Sequence, residues 1–113
     1  MANFNPGYKS EFTDAEAAEA REARDAILRQ LVAAMQAGVS ADDARTVELV
    51  QQYRDGFIDK YLYKSTLIQF LGLSTVIATD PRNISAYEEY AAGFAKYLAA
   101  AFRAYYEAKS SAR

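Results

Sequence analysis

Apolar residues recur at intervals of three and four along most of the chain, which is the spacing of one face of an α-helix. Four such segments are present, and they predict helices at about residues 14–37, 41–62, 66–78 and 81–108. The connections between them are short, and the chain has no repeat of fixed period. The pattern therefore predicts a compact all-α fold, with residues 1–113 forming a single domain.

Capping residues support these helix starts. Thr13 is followed three positions later by Glu16, which is the spacing of a capping box. Ser40 with Asp43 repeats the signal before the second helix, and Pro81 occupies a favoured first helical position. The residues predicted to precede the four helices are Thr13, Ser40, Ser65 and Asp80.

Four places depart from the helical pattern. Residues 1–12 include proline and glycine without a periodic apolar pattern, so they are predicted to be extended or mobile. Residues 109–113 are predicted to be a frayed tail. Gly93 interrupts the last helix, which predicts a bend or a close contact there. Residues 75–77 are β-branched enough to suggest a strand, but the chain offers no second strand to pair with it.

Composition excludes several functional classes. The chain has no cysteine and no histidine, which excludes disulfide frameworks, thiolate or imidazole zinc sites and histidine-dependent catalytic triads. The net charge is −2, which disfavours direct contact with nucleic acid. The sequence shows no membrane-spanning segment and no secretory signal at residues 1–8. We therefore expect a cytoplasmic protein with no metal and no cofactor.

The polar residues do not form a catalytic motif. Asp55 and Asp59 share a helix face and could contact a cation, but no further ligand completes a metal shell, which favours solvated charges. Glu88 and Glu89 are adjacent and are also assigned to solvent. Without histidine and without a recognisable catalytic constellation, we expect a protein that is not an enzyme.

The tyrosine content is the strongest functional signal. The chain has nine tyrosines and no tryptophan. Aromatic residues at helical spacing are usually core, and that interpretation is favoured at any single position. As a set, however, tyrosines suit the wall of a cleft, because each joins an apolar ring to a polar hydroxyl. The candidate ligand-binding residues are Tyr53, Phe57, Tyr61, Tyr63, Tyr87, Tyr90, Phe94 and Tyr97.

The order and spacing of several segments resemble the TipAS antibiotic-recognition family, the ligand-binding portion of MerR-type drug-sensing transcription regulators. The resemblance extends from Leu31 to Tyr106 and depends on no single motif. The segments that carry it are residues 33–39, 50–58 with Tyr61, Asp80-Pro81-Arg82, 87–90, 93–98 and Tyr105.

The resemblance implies a helical, globin-like fold without haem and a cleft that accepts bulky, partly aromatic antibiotics such as thiopeptides. Family members that capture thiopeptides covalently use a cysteine close to the position of Tyr106, and this chain has none, so we expect non-covalent binding. The DNA-binding helix-turn-helix of such regulators is also absent from this sequence. A role in transcription would therefore require a longer parent protein or a DNA-binding partner, whereas drug sequestration would require neither.

A second hypothesis belongs to a different class. Tyrosine is also enriched at protein interfaces, so the Tyr-rich face could pack against another helix as an interaction or homodimerisation module. A tight dimer that buries this face would leave no room for a drug. The two hypotheses therefore differ in whether the aromatic residues surround a cavity.

Overall fold

The structure is a computed structural model that describes residues 13–111. All regular structure in this range is helical and no strand occurs in it, which confirms the all-α prediction. Residues 75–77 are part of a helix. The predictions for residues 1–12 and 112–113 lie outside the described range. The elements are α1 (Asp14–Gln36), α2 (Ala44–Tyr53), a π-helical segment (Arg54–Leu62, the π segment), α3 (Leu67–Thr79), α4 (Pro81–Glu88) and α5 (Phe94–Ser111).

Two of the predicted helix starts are confirmed. The backbone N–H of Glu16 donates to the Thr13 hydroxyl at 3.0 Å, and the Thr13 N–H donates back to the Glu16 carboxylate at 2.9 Å. At α4, the Asp80 carboxylate accepts from the Arg82 N–H at 2.9 Å, and Pro81 is the first helical residue. Side-chain chemistry therefore sets both boundaries, as expected from the sequence.

The second helix begins three residues later than predicted, at Ala44 instead of residue 41. Asp43 is its N-cap and accepts from the Arg45 N–H at 2.8 Å. Ser40 lies in the preceding turn, where its hydroxyl donates to Asp42 at 2.8 Å. The prediction that Ser40 caps this helix was wrong. Asp43 is the cap, and the Ser40 hydroxyl bonds to Asp42 instead of to the helix.

The third helix is capped by Thr66 and not by Ser65. The Gln69 N–H donates to the Thr66 hydroxyl at 3.1 Å, and the Thr66 N–H donates to the Gln69 side chain at 3.0 Å, which completes a capping box. Ser65 is instead buried, and its N–H and hydroxyl donate to Asp59 at 3.0 and 2.8 Å. The interpretation of Asp59 as a solvated charge was therefore wrong.

The single helix predicted over residues 81–108 is two helices, α4 and α5, separated by residues 89–93. Gly93 has φ = +84°, a backbone conformation that side chains rarely adopt, so the predicted bend is a complete break. Helix α5 then continues to Ser111, past the predicted end. Residues 109–111, which were predicted to belong to a frayed tail, are therefore helical in the structure.

Glu88 stabilises the start of α5 across this break. Its carboxylate accepts from the Gly93 N–H at 2.8 Å and from the Ala95 N–H at 2.9 Å. These donors would otherwise be unsatisfied at a helix N-terminus. The assignment of Glu88 to solvent was wrong, because the break brings the new N-terminus back to this side chain.

The second half of the predicted second helix is the π segment, which sequence periodicity did not indicate. Arg54 at its start is 17% exposed and ties it to distant parts of the chain. The guanidinium donates to the Ser65 hydroxyl at 3.0 Å, to the Ser65 carbonyl at 2.7 Å and to the Tyr105 hydroxyl at 3.0 Å. π-Helical turns are uncommon and often occur at functional sites.

Helices α3 and α5 make the most extensive contact and form the centre of the core. Phe70 stacks on Phe102 with ring centroids 4.4 Å apart, and the edge of Tyr105 meets Phe70 at 5.2 Å. Helix α4 differs, since none of its eight residues is buried. It lies against α3 and α5, with the partly buried Ile84 and Tyr87 packed on the core, and a cavity opens on each side of it.

Candidate ligand-binding site

A cavity of about 200 Å³ lies where α1, α2, the π segment, α3, α4 and α5 converge; we call it the aromatic cavity. Aromatic and aliphatic side chains dominate its lining, and polar groups are few, as is typical of small-molecule sites. Its lining residues are Arg24, Tyr53, Phe57, Ile58, Leu62, Leu73, Val76, Ile77, Asn83, Tyr87 and Phe102.

The rings around the cavity contact one another at tilted angles. The centroid of Tyr53 lies 5.4 Å from that of Phe57 and 5.7 Å from that of Phe102, with interplanar angles of 38° and 52°. Aromatic pairs prefer such tilted or offset arrangements to direct face-to-face stacking. The wall therefore presents both faces and edges, which suits a flat aromatic group of a ligand.

Tyr53 places a phenol in this apolar wall. Only 3% of the residue is exposed, and this burial raises its pKa well above the ordinary value, with the nearby Tyr87 hydroxyl adding to the shift. Tyr53 is therefore neutral at physiological pH. Its hydroxyl can donate or accept a hydrogen bond, as can that of Tyr87.

Arg24 and Asn83 supply the remaining polar chemistry. Arg24 Nε donates to Asp25 Oδ1 at 3.2 Å, and about a third of the arginine side chain is exposed. The Asp25 carboxylate also accepts a short hydrogen bond from the Tyr90 hydroxyl, which is the main reason that its pKa lies below the usual value. The guanidinium is thereby held beside Asp25 and the Tyr90 hydroxyl, and Arg24 lines the cavity from this position.

Of the eight predicted site residues, the structure brings Tyr53, Phe57 and Tyr87 together in the aromatic cavity. Phe94 is fully buried and contacts one of these three, with its ring centroid 6.3 Å from that of Tyr87. It supports the wall without lining it. The ring centroid of Tyr90 lies 5.8 Å from that of Phe94. Tyr90 does not line the aromatic cavity but faces a separate polar cavity of about 270 Å³ beside Asp25.

The other three predicted residues lie outside the aromatic cavity. Tyr61 is buried with its ring centroid 6.4 Å from that of Phe57. Tyr63 lies in the connection before α3, where burial raises its pKa. The Tyr97 hydroxyl donates to the Val39 carbonyl at 2.9 Å and so anchors the loop between α1 and α2. Each of these positions has a packing or anchoring role in the fold.

Sequence reasoning missed the two polar residues of the cavity. Arg24 lies four residues from both Ala20 and Leu28, so it interrupts the buried face of α1. A charged residue on an otherwise apolar helix face could have been recognised in the sequence. Asn83 lies four residues before Tyr87 on α4 and shares its face. The aliphatic residues that α3 contributes, Leu73, Val76 and Ile77, had no such signal, because only the placement of α3 brings them to the cavity.

The part of the chain from residue 13 to residue 111 contains no cluster of acidic residues, histidines or cysteines that could hold a metal ion. It also contains no helix whose length and hydropathy would allow it to cross a membrane.

Comparison with known families identifies one relation. The sequence model of the TipAS antibiotic-recognition domain matches residues 7–105 of the 113 residues. Comparison with curated proteins and with solved structures finds no significant match. The matched range contains every lining residue of the aromatic cavity and extends through most of α5. This chain therefore belongs to the TipAS antibiotic-recognition domain family.

Proposed function

We propose that this chain binds bulky apolar or aromatic small molecules such as antibiotics, non-covalently and without catalysis. It would do so as the effector-binding domain of a transcription regulator or as a stand-alone drug-sequestering protein. The observation that carries the proposal is the aromatic cavity, in which a tyrosine-rich wall, a half-buried arginine and an asparagine converge within a TipAS domain.

The chemistry of the cavity supports an aromatic ligand with polar substituents. The rings of Tyr53 and Phe57 offer apolar contact area, while the hydroxyls of Tyr53 and Tyr87 can bond to a ligand carbonyl or amide. Arg24 adds a charged donor at the same place. Sites of this kind gain affinity from apolar burial and specificity from the few polar groups.

The size of the cavity indicates how a large antibiotic would bind. An engineered protein cavity of about 150 Å³ holds one benzene molecule. The aromatic cavity, at about 200 Å³, therefore accepts one substituted ring. The rest of the ligand would lie outside, across the rim where Val76 is 42% exposed.

Burial argues against the alternative in which the Tyr-rich face is a protein interface. Tyr53, Phe57 and Tyr61 are each less than a tenth exposed. A partner helix could not pack on these rings unless the core opened first. The ligand-binding hypothesis needs only the space that already exists between the helices.

Thermal unfolding in the presence of thiopeptides and polyaromatic antibiotics tests the proposal. A ligand that binds only the folded state stabilises it by about 2.7 kcal/mol when its free concentration is 100 times Kd. For a domain of this size, that stabilisation raises the midpoint by roughly 10 °C. We expect at least one compound of the panel to raise the midpoint in a dose-dependent manner.

Two variants in α3 test whether the ligand that raises the thermal midpoint binds in the aromatic cavity. Val76→Phe places a ring at the cavity rim, whereas Ile68→Phe adds one at a position that is 64% exposed and remote from the lining. The shift should disappear in Val76→Phe and persist in Ile68→Phe. A shift that survives Val76→Phe unchanged, or no shift with any compound, would contradict the proposed site.

A further inference from the structure

A second and larger cavity lies on the other side of α4, where that helix meets α5; we call it the α4–α5 groove. Its volume is about 570 Å³, within the range typical of small-molecule sites. It shares no lining residue with the aromatic cavity. Asn83 and Tyr87 face the aromatic cavity, whereas Ile84 and Glu88 face the groove, so the two spaces are separated by α4.

The groove is open because its floor is built from small residues. The apolar residues that α5 contributes to the floor are alanines, whose side chains are single methyl groups. Ile84 of α4 is the largest apolar residue in the lining. An apolar ligand would therefore meet a hydrocarbon surface over most of its body. The apolar lining consists of Ala78, Ile84, Ala95, Ala99 and Ala100.

Two cations border this apolar surface. Lys96 and Arg103 lie about 10 Å apart along α5, which is two helical turns, and both line the groove. Within residues 13–111, neither forms a hydrogen bond or an ion pair. Arg103 also borders a neighbouring depression that Asp42 and Glu107 line, but within residues 13–111 neither carboxylate lies within ion-pair distance of it.

The one carboxylate of the groove is already engaged. Both Glu88 oxygens accept backbone hydrogen bonds at the start of α5, from Gly93 at 2.8 Å and from Ala95 at 2.9 Å. A ligand cation would have to compete with these donors for Glu88. A ligand anion, in contrast, would meet two cations that have no ion-pair partner among residues 13–111.

We propose that the α4–α5 groove is a second binding site, which takes an amphipathic organic anion: a compact apolar body that carries a carboxylate or sulfonate. The body lies on the alanine floor beside Ile84, and the acid group lies between Lys96 and Arg103. Charge-assisted hydrogen bonds to the two cations fix its orientation. The site is independent of the aromatic cavity, whose ligands need no negative charge.

Calorimetric titration of the intact chain with 2-naphthoate and with the neutral 2-naphthamide tests this site. We expect naphthoate to bind about tenfold more tightly than naphthamide. The double variant Lys96→Gln/Arg103→Gln should remove that preference, whereas Lys64→Gln, an exposed lysine outside the groove, should retain it. Circular dichroism of each variant verifies that it remains folded.

Two further variants assign the bound compound to one cavity. Ala100→Phe fills the groove from an exposed position and should abolish naphthoate binding, while Val76→Phe at the aromatic cavity should leave it unchanged. Equal affinity for the acid and the amide, no binding of the acid, or loss of its binding in Val76→Phe would each overturn the inference. None of these results depends on whether an antibiotic binds in the aromatic cavity.

Discussion

The two sides of α4 differ in how their space arises. On one side, large rings from α2, the π segment and α5 surround a cavity of about 200 Å³; on the other, alanines of α5 leave about 570 Å³ open. The region richest in aromatic residues is therefore the tighter one. An aromatic cluster indicates where a ligand can find complementary chemistry, but most of its volume is used for packing.

The largest effect expected from this contrast is on stability. Phe102 is fully buried and lines the aromatic cavity, so Phe102→Ala should lower the free energy of unfolding by about 3–5 kcal/mol. Ala100→Leu, two residues away, points into the groove from an exposed position and should change it by less than about 0.5 kcal/mol. Urea denaturation measures both, and similar losses in the two variants would contradict the contrast.

The π segment provides the second test, because it carries Phe57 into the cavity wall. Arg54→Met removes the hydrogen bonds to Ser65 and Tyr105 and should destabilise the fold by about 2–4 kcal/mol. Arg103→Met is the matched control, because this arginine of the groove forms no ion pair within residues 13–111, and it should have an effect below about 0.5 kcal/mol. If urea denaturation found Arg54→Met equally mild, the network would not be what holds the π segment.

The break between α4 and α5 borders the α4–α5 groove, which Gly93 lines. Substitution of Gly93 is expected to change stability less than the variants above. Gly93→Ala forces a side chain into a backbone with φ = +84°, which should cost about 1 kcal/mol, although no atom blocks the added methyl group. Gly72→Ala, within α3 and equally unobstructed, should instead stabilise the protein by up to about 1 kcal/mol. Thermal midpoints that shift in the same direction in both variants would exclude this explanation of the break.

The smallest effect is a dependence of stability on pH. Glu88 accepts hydrogen bonds from the backbone N–H groups of Gly93, which has the larger effect, and Ala95. These bonds hold the pKa of Glu88 below the usual glutamate value in the folded protein. Its contribution is therefore complete above the pKa of the unfolded chain and is lost as the pH falls through the lower folded pKa. Glu88→Gln should weaken the loss of stability on acidification below about pH 4.5, compared with the wild type. Glu89→Gln is the control, and an identical pH profile for Glu88→Gln and the wild type would contradict the assignment.

The helices could be predicted because their signals are local. The capping box of Thr13 and Glu16 and the Asp80-Pro81 start depend on residues within one turn, and both were confirmed. The π segment could not be predicted, because Arg54 is held by Ser65 and Tyr105, 11 and 51 residues away. The break at residues 89–93 was visible only as one glycine in a helical pattern.

The type of side chain at the candidate site could be predicted from the sequence, but the particular residues that line the cavity could be predicted only in part. The tyrosine excess pointed to a set of rings, of which the fold brings Tyr53 and Tyr87 together in the aromatic cavity. Whether a given ring lines the cavity or anchors a loop, as Tyr97 does, depends on how α4 lies against its neighbours. That placement is a tertiary property, which periodicity along one helix does not encode.

Methyl-resolved NMR with a neutral aromatic antibiotic tests most directly the claim that the aromatic cavity is the ligand site. Three isoleucines report on three places: Ile77 lines the aromatic cavity, Ile84 lines the α4–α5 groove and Ile68 is on the exposed surface. We predict intermolecular NOEs from the ligand ring to Ile77 and Val76, with none to Ile84 or Ile68. NOEs confined to Ile84 or Ile68 would place the ligand elsewhere and contradict the proposed site.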